Sequence, residues 1–208
     1  MLFPQAAPGP VTEPIDLALL TRLREVVEEA TAAFVAFEPS RALERTETFF
    51  WSFCDDYIEL VKTRAYGEGP AADSANRALR QTLEVLLRLF APFLCFATEE
   101  IWSWWQDGSV HNAPWPTAAE ITIDQPGDPE LLVAAGEVLL AVRKAKSLAK
   151  VSMRAEVELV VVTNTTEFLT LVQLAQGDLI NAGLVAQMIF STGEPAVEVT
   201  LAPVEQTA

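Results

Sequence analysis

Cysteine and histidine are almost missing from this chain of 208 residues, which has two of the first and one of the second. Cys54 and Cys95 are too few for a disulfide framework and form no CxxC pair, so two buried thiols in a reducing compartment, the cytoplasm, are expected. His111 alone cannot supply the ligands of a structural zinc site, and no metal site is expected. Neither a GxGxxG turn nor a phosphate loop occurs. No apolar run reaches the ~18 residues of a membrane span, because Arg88, Glu99 and Glu100 interrupt the best candidate. The opening "MLFPQAAPGPVTEP" lacks the basic start and apolar stretch of a signal peptide. Residues 1–12 read as a flexible lead-in or a cut end.

Positive charge is also scarce, with 14 Lys and Arg against 29 Asp and Glu and a net charge of −15. Its placement is more informative than its sum. Residues 1–88 hold nine bases and fourteen acids, and residues 89–142 hold eight acids and no base. Residues 143–154, "RKAKSLAKVSMR", hold five bases and no acid, and residues 155–208 hold seven acids and no base. A polyanion would be repelled by most of the chain, so it can dock only on the first 88 residues or on that short run.

What the chain does have is apolar material, 50% of its residues, enough for a substantial core. Thr12 to Phe37 has helical spacing, with Leu19, Leu23, Val26, Val27, Ala30 and Phe34 on one face. Ser40 is placed to cap a second helix from about Arg41 to Tyr66, whose stripe is Leu43, Phe50, Phe53, Tyr57 and Val61. A third helix from about Asp73 buries Leu79, Leu83, Leu86 and Phe90 and shows Arg77, Arg80, Glu84 and Arg88 on its outer face. Pro92 interrupts the most apolar segment, at a cost of roughly 3 kcal/mol if the helix ran straight through. A bend there would pack Phe93, Phe96, Trp102 and Trp104, from a fourth helical piece over Phe93 to Trp105, back across the bundle.

Near residue 125 the character changes. "DQPGDP" marks a linker or turn, and Asp128 to Ala149 reads as another helix. "AEVELVVV", "VAQMIFS" and "AVEVTLAP" read as strands, with "TEFLTLVQLA" as a helix between the first two. The predicted fold class is mainly α: a helical bundle over residues 1–118, then a small α+β module over 119–208.

No catalytic constellation emerges. Asp55 and Asp56 are helix neighbours about 100° apart and read as a solvated edge. Asp107, Ser109 and His111 lack the supporting motif of a nucleophilic triad. The run Arg143, Lys144, Lys146, Lys150 and Arg154 is partly explained by complementing a helix C-terminus. The remainder fits a phosphate-contacting patch or a partner for the acidic segments.

Three stretches carry a resemblance. "ETFFWSFCDDYIELVKTRAYG", "LRLFAPFLCFATEEIW" and "GSVHNAPWP" resemble the anticodon-binding helical domain of class I aminoacyl-tRNA synthetases. The second stretch is common to the valine, isoleucine, leucine and methionine enzymes; the first and third, in that order, look most like the valyl family. The likeness is good over residues 15–118 and weaker from "VRKAKSLAKVSMR" to "DLINAG". Cys95 stands where the family usually has a second proline, and Asp56 where many valyl enzymes have tryptophan. The class I catalytic signatures are absent, and "KVSMR" only echoes one of them.

The resemblance implies a C-terminal part of a longer enzyme that joins valine to tRNA(Val) with ATP and Mg, the chemistry lying outside these residues. No cofactor is expected here. The implied partners are tRNA(Val) and the catalytic part of the same chain, and the implied state is a cytoplasmic monomer. An anticodon loop is read by stacking on unstacked bases, hydrogen bonding to their edges and pairing Lys or Arg with phosphates. Backbone contact is expected from Lys62, Arg64, Arg77, Arg80 and Arg88, and base-edge contact from Arg22 and Arg24. A second backbone contact is expected from Arg143, Lys144, Lys146, Lys150 and Arg154. Trp51 and Tyr57 are possible base stackers, with core packing the simpler role. The same region of an isoleucyl enzyme, and a helical protein-interaction module that never touches RNA, are the alternatives.

Overall fold

Prolines start three helices of the bundle. Helix α1 (Pro14–Val35), α2 (Pro39–Ser52) and α4 (Pro70–Phe90) each open on one, where the missing N–H costs nothing and the fixed φ is already helical. The start at Pro39 puts Glu38, not Ser40, in the capping position of α2. The computed structural model describes residues 9–203. Most of the predicted lead-in and the last five residues, Ala208 among them, lie outside the described residues.

The second predicted helix is one continuous rod with a changed pitch in the middle. A π-helical turn, Phe53–Tyr57, joins α2 to α3 (Ile58–Ala65). Insertions of this kind re-aim side chains within a helix. Phe49, Phe53 and Tyr57 stack in succession, with ring centroids 6.4 and 5.9 Å apart. The bundle stripe is buried much as its spacing predicts: Leu19, Leu23, Val26, Val27, Ala30, Phe53, Tyr57, Val61 and Leu86 are all in the core. Each such large side chain contributes roughly 1.5–3 kcal/mol of burial.

Pro92 ends the helix instead of bending it. The amides of Phe93 and Leu94 both donate to the Phe90 carbonyl, at 2.9 and 2.8 Å, and a new helix, α5 (Cys95–Ser103), starts after this turn. Trp102 is buried and Phe93 half-buried, but Phe96 is 92% exposed and Trp104 56%. The expected return of all four rings is therefore corrected: a fresh start after the turn sets a new helical phase, and only part of it meets the bundle. Cys95 is exposed rather than buried for the same reason, and Cys54 is half-buried.

The loop after α5 is pinned to α1, where Trp115 packs edge-on against Phe34 at 5.0 Å and donates to the Thr31 hydroxyl at 2.9 Å. Ile121 is buried, and the Gly127 amide donates to Thr21 Oγ1 at 2.9 Å. A Cβ on Gly127 would lie 2.3 Å from the Ala18 nitrogen, so only glycine allows this approach. Helix α6 (Glu130–Leu148) then packs on α1 and leads into β1 (Val157–Asn164), α7 (Thr166–Leu174), α8 (Gln176–Gly183), β2 (Val185–Thr192) and β3 (Ala196–Leu201). The sheet order is β2-β1-β3, with β1 parallel to β2 and antiparallel to β3. The parallel pair requires a crossover, which α7 and α8 provide. One apolar core runs from Val11 through both the helices and the sheet to Met188.

Candidate nucleic-acid interface

A basic side chain can meet RNA only if its donors are not already spent inside the protein. Arg64 has spent all of its own. Its guanidinium donates to both carboxylate oxygens of Asp16 at 2.8 and 2.9 Å, to both of Asp178 at 3.0 Å, and to the Ala71 carbonyl at 2.9 Å. Asp16 has no exposed surface and also accepts from Tyr57 Oη at 2.8 Å and Ser74 Oγ at 2.7 Å. Ser74 in turn accepts the Thr12 and Glu13 amides. Five segments thus meet at one ion triad: the chain ahead of α1, α1 itself, the α2–α3 rod, α4 and α8. Burial alone would lower the Arg64 pKa, but the two carboxylates outweigh it and raise the pKa above the ordinary arginine value. Burial, then the Asp16 charge, pushes the Tyr57 phenol well above its usual value.

Arg88 and Lys146 are also turned inward. Arg88 is buried, bonded to Glu120 and to the Pro114 and Glu84 carbonyls. Lys146 is buried and donates to the Met153 carbonyl at 3.0 Å and the Gly183 carbonyl at 2.8 Å, with burial lowering its pKa. Arg143 donates to the Asp55 carbonyl at 2.7 Å and to Asp56 at 3.4 Å, tying α6 to the π-helical turn. Burial raises the Asp56 pKa, and the Arg143 charge opposes the shift. The outer-face placement of Arg88 is therefore corrected, and Arg64 and Lys146, expected to meet a phosphate backbone, are turned inward as well. Segments distant in sequence cover all three.

A second group is ion-paired and only partly exposed, Arg77 least of all at 14%. Arg22 meets Glu25 and Glu29, each at 2.8 Å, and Lys62 meets Glu59 at 3.2 Å. Arg77 meets Asp73 at 3.5 Å and donates to the Pro10 carbonyl at 2.6 Å. The most open of these pairs, at Lys62, is of the surface kind worth ~0–1 kcal/mol. Arg80 lies over the Trp105 ring, 5.2 Å from its centroid.

The rest have no ion-pair partner among the described residues: half-buried Arg24 on α1, and exposed Lys144, Lys150 and Arg154. The last two sit on the turn that leaves α6. Lys150 takes a left-handed φ of 55° there, and the buried Lys146 ammonium holds the turn by the Met153 carbonyl. One basic residue of the run thus builds the loop, and its neighbours face solvent. Trp51 is 53% exposed, whereas Tyr57 is in the core.

The residues raised as a possible triad are used otherwise. Ser109 Oγ donates to Glu99 at 2.9 Å and accepts the His111 amide, while the His111 ring meets the Cys95 carbonyl. Sequence reasoning missed Asp16 and Asp178; a lone Asp in an apolar first turn was a readable signal for the former, and α8 was too short to flag the latter.

The family model for the anticodon-binding domain of tRNA ligase matches residues 16–161, the bundle through β1. The chain belongs to this family. It is 54% identical over 206 residues to a valine–tRNA ligase of Thermobifida fusca, covering 97% of this chain and 23% of that protein. It is 46% identical over 184 residues to one of Leifsonia xyli, covering 88% and 21%. A third, from Salinispora arenicola, is 46% identical over 208 residues, covering 91% and 24%. The chain therefore spans about a quarter of the length of these relatives.

Proposed function

We propose that the chain is the anticodon-binding C-terminal part of a valine–tRNA ligase and docks tRNA(Val). The observation that carries this reading is the family match, which falls on the whole helical bundle and its junction to the sheet. The names of the relatives favour valine over isoleucine. The RNA-facing set is Arg24 and Arg80 on the bundle, Lys144, Lys150 and Arg154 beyond α6, and Arg22, Lys62 and Arg77 once their carboxylates are exchanged for phosphate. Arg64, Arg88, Arg143 and Lys146 hold the scaffold that presents them. In the full enzyme, a cytoplasmic monomer, valine activation with ATP and Mg belongs to the catalytic part of the polypeptide. No group of three or more His, Cys, Asp or Glu suited to a metal occurs among the described residues here.

Affinity for tRNA as a function of salt tests the proposal. Contacts to about four to six phosphates give a log–log slope of about −0.7 to −0.9 per contact. Replacing Lys150 and Arg154 by Glu should flatten the slope by roughly one to two contacts without unfolding the chain. A chain with no salt-dependent preference for tRNA carrying a valine anticodon would overturn the reading in favour of a protein-binding module.

A further inference from the structure

One groove of the bundle is lined almost wholly by apolar side chains. Between α2, α4 and α5 runs a groove of about 370 Å³, floored by Phe50, Leu86 and Phe90, with Trp51 and Leu94 at its rim. Phe50 stands edge-on to both Phe90, at 5.5 Å, and Trp51, at 5.3 Å. Trp51 is 53% exposed and Leu94 51%.

The charge pattern says what covers it. Glu47 is the one charged residue lining the groove, and its carboxylate lies 3.5 Å from Trp51 Nε1. No Lys or Arg lines it, and the segment that forms its α5 wall lies in residues 89–142, which hold no base. A phosphate backbone would find no cation there and would meet Glu47. About three-quarters of the length of the relatives lies outside this chain.

We infer that the groove seats an amphipathic helix from the part of the parent polypeptide that lies outside these residues, its apolar face on Phe50 and Phe90 and a Lys or Arg opposite Glu47. A helix laid between helices buries its stripe on the ridges of its neighbours, and one basic residue satisfies the rim carboxylate. The bundle is then completed by the rest of the enzyme, which fixes the anticodon surface relative to the catalytic part. The inference rests on the proposal that the chain belongs to a longer synthetase.

The test places the photo-crosslinker p-benzoyl-L-phenylalanine at Trp51, and separately at Leu94, in the full-length polypeptide, with and without tRNA. Mass spectrometry of the purified monomer should find both positions joined to one peptide from outside these 208 residues, unaffected by tRNA. Cross-linking to tRNA, cross-linking to a second copy, or no cross-link at either position overturns the inference. Whether the same polypeptide charges tRNA with valine scores the functional reading separately: failure of charging removes that reading and leaves the cross-link result standing. A gene that encodes these residues and no more would overturn the inference outright.

Discussion

Arg64 and Arg154 are the same side chain in opposite circumstances. Arg64 has five hydrogen bonds and two carboxylates around it; Arg154 is exposed, with no ion-pair partner among the described residues. The difference teaches that this acidic protein uses some of its few bases to lock distant segments together and leaves others exposed at its surface. The joint made by Asp16, Arg64 and Asp178 is a matter of stability, whereas Lys144, Lys150 and Arg154 are left to solvent, which is why the proposed tRNA contact is assigned to them.

The largest effect should come from breaking the joint. Arg64→Ala leaves Asp16 as a buried, uncompensated charge and should cost about 3–5 kcal/mol, read from the urea unfolding midpoint. Arg154→Ala should stay within roughly ±0.5 kcal/mol. Similar losses in the two variants would erase the distinction.

Gly127→Ala comes next. Its Cβ would collide with the α1 backbone at Ala18, and forced repacking of this kind costs about 1–3 kcal/mol. An unchanged midpoint would mean that the loop from α5 to α6 is not seated on α1 as described.

Lys146→Met sharpens the comparison from within the basic run, since it strips the buried Gly183 carbonyl and the part-buried Met153 carbonyl of their donor. The expected loss is roughly 1–3 kcal/mol. Lys150→Met, four residues on, should leave stability unchanged and weaken tRNA binding in low salt.

The smallest effect is in pH dependence. The folded-state pKa of Tyr57 is raised above the 10.0 of a free tyrosine, so the folded chain holds a proton that the unfolded chain releases. That contribution is fully present below pH 10 and is lost as pH rises through the folded-state value. Tyr57→Phe should therefore be less stable at neutral pH and show a shallower decline above pH 10. A decline of equal slope in both proteins would place the titrating group elsewhere.

Much of the architecture was legible in residue spacing. The stripe from Leu19 to Ala30, the strands around Val160 and Val199, and the mainly α class with a small α+β module need only periodicity, and the observed elements lie within a few residues of it. Three features were not legible. The π-helical turn at Phe53–Tyr57 leaves no mark in an apolar pattern that tolerates one extra residue. Pro92 announced a disruption, but whether the helix bends or restarts depends on what its second half meets. The short α8, which carries Asp178, was hidden in a polar stretch.

The candidate interface was legible only as a distribution. The charge count confined any polyanion to two places, and three sequence stretches suggested which polyanion. Which bases are available was invisible, because Arg64 finds its partners 48 and 114 residues away and Arg88 finds Glu120 32 residues away.

Composition and periodicity alone determined that this chain builds an apolar helical bundle, appends a small sheet and keeps its positive charge in two short regions. These are local properties, set by side-chain chemistry and the 3.6- and two-residue repeats. The tertiary structure decided which positive charges are spent and which apolar side chains are left uncovered. Those outcomes depend on side chains brought together from far along the chain, where a carboxylate within 3 Å changes what an arginine can do.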